Sequence, residues 1–187
     1  MAQHQMEPFH NYKKPSFYER SSESESVRRC QLSKIKIIVV GSTKSSFLKQ
    51  GELFYLEKLR RYAPTEWIEV KPQKVTKGRS KEEILRVEGR SIEKKYQAED
   101  HVIALDVRGR EYDSEGLARL VEHLSETHRQ LCFVIGGPLG LSETILKTAA
   151  HIISLSKLTL THEMSRLVLL EQLYRAHTII KGEKYHK

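Results

Sequence analysis

The run Leu131-Cys132-Phe133-Val134-Ile135 is apolar and partly β-branched, and it stops abruptly at Gly136-Gly137-Pro138-Leu139-Gly140. Residues of these types do chemistry through the backbone rather than through side chains. Glycines let a chain approach a ligand closely and adopt positive φ, and Pro138 stiffens the turn. Ser142 follows as a helix N-cap, with Glu143 where a carboxylate favours the positive helix end. A buried strand therefore ends in a bare turn from which a helix leaves. In an open α/β sheet the ligand crevice lies beyond such strand ends. The residues nominate Gly136, Pro138 and Gly140 as backbone contacts of a cofactor. The same residues also make a tight connection with no ligand at all, and Gly-x-Gly-x-x-Gly is absent.

Two further strand ends have the same open character: Leu105 to Gly109, which breaks at a glycine, and Leu155 to Leu160. A cofactor held mainly by backbone groups at several strand ends needs this arrangement. Other motifs test less well. Gly41-Ser42-Thr43-Lys44-Ser45 sits between a strand and a helix but lacks the second glycine of a phosphate-binding loop. An anion at that helix start stays open; nucleotide hydrolysis does not follow. Ser154-Leu155-Ser156-Lys157 matches Ser-x-x-Lys without the partner motifs of an acyl enzyme. The two cysteines, Cys30 and Cys132, and nine histidines show no metal-ligand spacing, so no metal is expected. No apolar run approaches the ~20 residues of a membrane span.

The elements that position these groups alternate. Strands are expected at 35–40, 67–70, 101–106, 131–135 and 151–155, and helices at 46–62, 80–97, from Asp113 through Leu124, after Ser142 and at 162–180. Strands alternating with helices give an α/β domain with a largely parallel sheet. The last helix is apolar on more than one face, so it is either central or part of a subunit interface. Residues 1–33, with Pro8, Pro15 and a Ser-Ser-Glu-Ser-Glu-Ser run, read as a disordered extension before a domain at 34–187. Four glutamates there argue against an organelle transit peptide. The expected compartment is cytoplasmic, with a plastid or mitochondrion as the alternative.

The 187 residues carry a net charge of +8, and the first 33 contribute only +1 of it. The excess belongs to the folded part and favours a polyanionic partner such as RNA. Lys71 to Arg79 is a basic loop that suits phosphate contact or a solvated linker equally. The chain ends in Tyr185-His186-Lys187, an aromatic-basic tail able to stack on a base and hold phosphates. These three are nominated as RNA contacts that contribute little to folding.

Lys34 to Gly41, Val102 to Asp106 with Gly109, Phe133 to Ser142, Ser154 to Thr159, and Glu171 to Ala176 through Lys187 closely resemble one family. It is the ribosomal RNA large subunit methyltransferase H family, within the SPOUT class, and the match runs in order over residues 34–187. The resemblance implies an α/β parallel sheet with a C-terminal trefoil knot, a homodimer, and S-adenosylmethionine as donor. It implies methylation of N3 of a pseudouridine in large-subunit ribosomal RNA, in the assembled subunit or ribosome. Carried over by position, Leu105, Gly137, Leu155, Ser156, Lys157, Leu158, Thr159 and Leu160 contact the donor. A β-branched side chain at Gly137 is then expected to intrude on it. Transfer from a sulfonium is an in-line displacement in which positioning dominates. The N3 proton must leave, which nominates His186 as base and Arg166 or Arg175 as stabilising charge. The rival is a non-catalytic RNA-binding module that keeps the fold. The extension at 1–33 departs from the family, whose members begin at the position of Lys34.

Overall fold

The computed structural model describes residues 33–74 and 78–185; the extension at 1–32 and the terminal His186 and Lys187 lie outside the described residues. Five strands alternate with five helices: β1 (Lys34–Val40), α1 (Ser46–Leu59), β2 (Thr65–Val70), α2 (Lys81–Glu93), β3 (His101–Glu111), α3 (Ser114–Thr127), β4 (Gln130–Ile135), α4 (Glu143–Thr148), β5 (His151–Ser154) and α5 (His162–Ile180). The strands form one sheet in the order β2-β1-β4-β3-β5, and every pair is parallel. Strands covered on both faces need no alternation, which is why β1 and β4 read as unbroken apolar runs.

Two cores flank the sheet. Ile35, Ile37 and Val39 face α1, α3 and α5, while Ile38, Val40 and Val70 face α2 and α4. Every helix starts at the side-chain cap its sequence offers: Ser45, Ser80, Asp113, Ser142 and Thr161. Helix α5 is the central one, packed between α1 and α3 with Leu169, Leu170, Leu173 and Ala176 buried. Much of the apolar surface that pointed to either a central helix or an interface is thus covered within one chain.

The largest departure is in β3. The expected break at Gly109 is not there: the strand runs on to Glu111. Leu105 and Arg110 both pair with Ile153, so residues 106–109 bulge out between them. Gly109 is where the returning strand passes tightly over β5; a Cβ there would stand 2.7 Å from the Ile153 nitrogen. The glycine marks a close backbone approach rather than an end. Helices α1 and α2 also stop earlier than their apolar spacing suggests, at Leu59 and Glu93.

Candidate functional site

The ends of β3, β4 and β5 are adjacent because Leu105 pairs with Ile135 on one side and Ile153 on the other. Beyond them lies a cleft of about 570 Å³, within the range that holds small-molecule ligands. Its walls are the β3 bulge, the glycine loop after β4, the 155–160 connection and the first turn of α5. Leu105, Gly136, Gly137, Pro138, Gly140, Leu155, Ser156, Leu158, Thr159 and Leu160 all line it. Of the residues expected to contact a cofactor only Lys157 does not; its side chain is 89% exposed and pairs with Glu111 at 3.7 Å.

The glycine loop is folded onto itself. Gly140 has φ of +89° and its N–H donates to the Gly137 carbonyl at 3.0 Å. A Cβ on Gly136 would overlap the Gly140 carbonyl, so this turn closes only without a side chain there. Gly137 differs from the expectation placed on it. A Cβ there would meet Val40 at 3.2 Å and approach the buried Glu88 carboxylate at 3.7 Å. A valine at 137 thus strains the packing against β1 before anything else.

Polar groups at the cleft come from both rims. Asp106 accepts hydrogen bonds from the Arg108 N–H (3.0 Å) and Nε (2.9 Å), and Arg108 reaches on to Glu143 at 3.0 Å. Burial pushes the Asp106 carboxyl up, but the Arg108 bonds and charge outweigh it and hold it below the usual carboxylate range. His162 and Ser165 also line the cleft. Burial, and then the Arg166 charge, lower the His162 pKa, so its imidazole is neutral at neutral pH. Sequence reasoning passed over both. The available signal was Thr161, whose cap sets the first turn of α5 at the end of the 155–160 connection.

The loop at 41–45 is occupied from within. The Glu163 carboxylate accepts the Lys44 N–H at 2.9 Å and the Ser45 N–H at 3.4 Å. Burial opposes ionisation of Glu163, yet the Lys44 bond is the larger influence and its pKa falls. Arg166 is fully buried beside this loop, donating to Thr43 Oγ1 at 2.8 Å and to the Val40 carbonyl at 2.6 Å. Thr43 in turn bonds the buried Glu52. Arg166 is absent from the cleft lining. Arg175 is also absent from it; its guanidinium pairs with Glu171 at 2.6 Å and lies 4.8 Å from the Tyr185 ring.

Tyr185 departs from the expectation that it contributes little to folding. Its ring packs edge-on against Tyr174 at 4.7 Å, and burial, with a hydrogen bond to Tyr55, pushes its hydroxyl pKa up. It is half-buried aromatic structure, not loose chain. His186 and Lys187 lie outside the described residues. Among the described residues, no helix is long and apolar enough to cross a membrane, and no group of three or more His, Cys, Asp or Glu is placed to hold a metal.

A family model described as "Predicted SPOUT methyltransferase" matches residues 33–186. Relatives named ribosomal RNA large subunit methyltransferase H include one from Halothermothrix orenii, 42% identical over 158 residues and covering 82% of this chain and 99% of its own length. Another, from Syntrophotalea carbinolica, is 45% identical over 154 residues, covering 82% and 98%. Among solved structures, a probable methylase family protein from Haemophilus influenzae superposes with a TM-score of 0.50 at 15% identity, covering 83% of this chain and 71% of that one. A probable methyltransferase from Bordetella pertussis gives 0.50 and 15% over 78% and 95%. These two share the fold.

Proposed function

Given that this chain belongs to the SPOUT methyltransferase family, we propose that it methylates large-subunit ribosomal RNA, taking the methyl group from S-adenosylmethionine and placing it on N3 of a pseudouridine. The observation that carries the reading is the cleft where three strand ends converge, closed by a glycine turn that admits no side chain at Gly136. Its size and its Gly136 cradle suit a nucleoside-sized donor. Leu105, the 136–140 backbone and the 155–160 connection would hold it. The donor supplies an activated methyl group when bound.

The chain's own work is then positioning and proton handling. Rigid strand ends fix the donor side, and the Asp106–Arg108–Glu143 network braces the β3 bulge against α4. Loss of the N3 proton calls for a neutral base. His162 is kept neutral at the cleft, and His186 is nominated by the match of the terminal tail. Arg175 and Tyr185, held together against α5, are proposed as RNA-facing groups with Lys187. Arg166, enclosed by Thr43 and Val40, is proposed to act by positioning β1 beside the glycine loop.

The reading extends to a homodimer and a C-terminal trefoil knot. Support for the dimer is the exposed apolar surface of α1, where Phe47, Leu53 and Phe54 are 74%, 56% and 52% exposed. It also sets the protein beside ribosomes, in the cytoplasm, or in a plastid or mitochondrion if residues 1–33 are a transit peptide. Isothermal titration with S-adenosylmethionine, followed by transfer of a labelled methyl group to purified large ribosomal subunits, tests the assignment. Saturable donor binding and one labelled nucleotide are expected. RNA binding without donor binding would leave a non-catalytic module.

A further inference from the structure

The segment leaving β2 gathers Lys71, Lys74 and Arg79 around a second, shallower cleft of about 390 Å³, completed by Pro72 and Gln73. The described residues 71–74 and 78–81 hold four cations and no acid. Among the described residues, Lys71, Lys74 and Arg79 make no ion pair. Three other cations are committed to carboxylates: Arg108 to Asp106 and Glu143, Lys157 to Glu111, Arg175 to Glu171. The charge of Lys71, Lys74 and Arg79 thus lies outside the lining of the donor cleft, uncommitted to any carboxylate.

The fold holds the described residues 71–74 and 78–81 in place. Val70 pairs with Val40 and Val39 with Ile135, so Lys71 leaves the same sheet edge as the glycine loop. It is two strands away, about 10 Å at ~4.8 Å per strand. Pro72 packs over Gly41. The Gln73 N–H donates to Glu88 Oε1 at 2.8 Å, and Arg79 Nη1 donates to Gln73 Oε1 at 3.2 Å, drawing the two ends of the segment together. Glu88 also lies against Gly137, so one buried carboxylate braces both the basic segment and the glycine loop. Burial raises the Glu88 pKa, against the opposing effect of the Gln73 bond.

We propose that Lys71, Lys74 and Arg79 form a phosphate-binding surface that holds the RNA backbone flanking the nucleotide in the donor cleft. This rests on the ribosomal RNA reading above. A base that reacts must leave its stack to reach the cleft, and its flanking phosphates then pass over the neighbouring strand ends. Phosphate contacts of this kind fix register without reading sequence.

The test compares two triple variants of the full chain that remove the same charge. One carries Lys71→Gln, Lys74→Gln and Arg79→Gln. The control carries Lys34→Gln, Lys95→Gln and Arg129→Gln, exposed residues at the opposite edge of the sheet, where β1, β3 and β4 begin. With purified large ribosomal subunits, the first should raise KM at least tenfold and reduce the slope of log affinity against log salt by about two to three units, at ~0.7–0.9 per contact. Its affinity for S-adenosylmethionine should match the wild type, and the control should shift KM less than twofold. Unchanged KM and slope in the first variant overturn the proposal. So do equal effects of the two triples, which would reduce the surface to a diffuse field, and so does loss of donor binding in the first, which would make the segment part of the donor site. Failure of the underlying methyltransferase reading is distinct, because the wild type would then neither bind donor nor methylate subunits.

Discussion

The loops that follow β1 and β4 leave neighbouring strands of one sheet, and by residue type they are near twins. Each begins at a glycine and ends at a serine that caps the next helix, Ser45 for α1 and Ser142 for α4. Either has the backbone donors and freedom to hold an anion or a cofactor. The fold treats them oppositely. The 41–45 loop is filled from within, its amides by Glu163 and its Thr43 side chain by Arg166 and Glu52. The 136–140 loop turns back on itself through Gly140 and leaves its backbone facing a cleft of about 570 Å³. Local sequence confers the capacity to bind; whether a distant part of the chain uses that capacity up decides if a site exists.

The sharpest way to break this contrast is Arg166→Met. Removing the guanidinium takes their buried charged donor from Thr43 Oγ1 and the Val40 carbonyl and leaves the buried Glu52 with Lys49 alone, 3.7 Å away, and breaking such a buried charged network costs about 3–5 kcal/mol. The thermal midpoint should fall by roughly 10 °C or more. A midpoint that stays put while methyl transfer vanishes would move Arg166 out of the scaffold and into the chemistry. Next in size is Gly136→Ala, whose Cβ overlaps the Gly140 carbonyl. Donor affinity by isothermal titration should drop about a hundredfold with a far smaller loss of stability, because the turn lies at the sheet edge. Equal affinity in a folded variant would remove the glycine loop from the donor site. Smaller again is Gly140→Ala, where φ of +89° is strained for alanine but nothing lies within 4 Å of the new Cβ. The expected cost is about 1 kcal/mol of stability, with donor affinity changed less than tenfold.

The contrast also marks what could be read from the sequence. Apolar runs, helical spacing and caps gave the five strands, a largely parallel sheet and the bounds of α5, because each depends on local pattern. Gly136, Pro138 and Gly140 were legible for the same reason, since an apolar run ending in Gly-Gly-Pro announces itself, whereas Leu105, Gly137 and the 155–160 connection were named as donor contacts by the family resemblance. Illegible features depend on contacts between distant residues. Arg166 reaches Val40 across 126 positions, and Glu163 reaches Lys44 across 119; nothing local in an apolar helix reveals either. Gly109 read as a strand end because a glycine that permits close crossing has the same letter as one that breaks a strand. Tyr185 read as loose because its partners, Tyr174 and Glu171, lie a full helix turn or more upstream, past Gly182.

The smallest effect tests the filled loop most directly. Glu163 accepts two backbone N–H groups, and the Lys44 bond, the largest influence on it, lowers its pKa against the opposing effect of burial. A carboxylate depressed on folding contributes stability above its ordinary range and loses it as pH falls through the lower folded value. Glu163→Gln keeps an acceptor but loses the charge, which is worth about 1 kcal/mol between charged and neutral hydrogen bonds. Its thermal midpoint should therefore sit about 2–4 °C below wild type at neutral pH. The gap should close as the pH falls below the ordinary carboxylate range, where the wild-type side chain is neutral too. A deficit of constant size down into acid would mean that shape, not charge, fills the loop. Glu163→Ala carries the test further, since it frees both amides at the start of α1. Added sulfate should then restore part of the lost midpoint, by binding only the folded state, and should restore nothing in the wild type, whose loop its own glutamate already occupies.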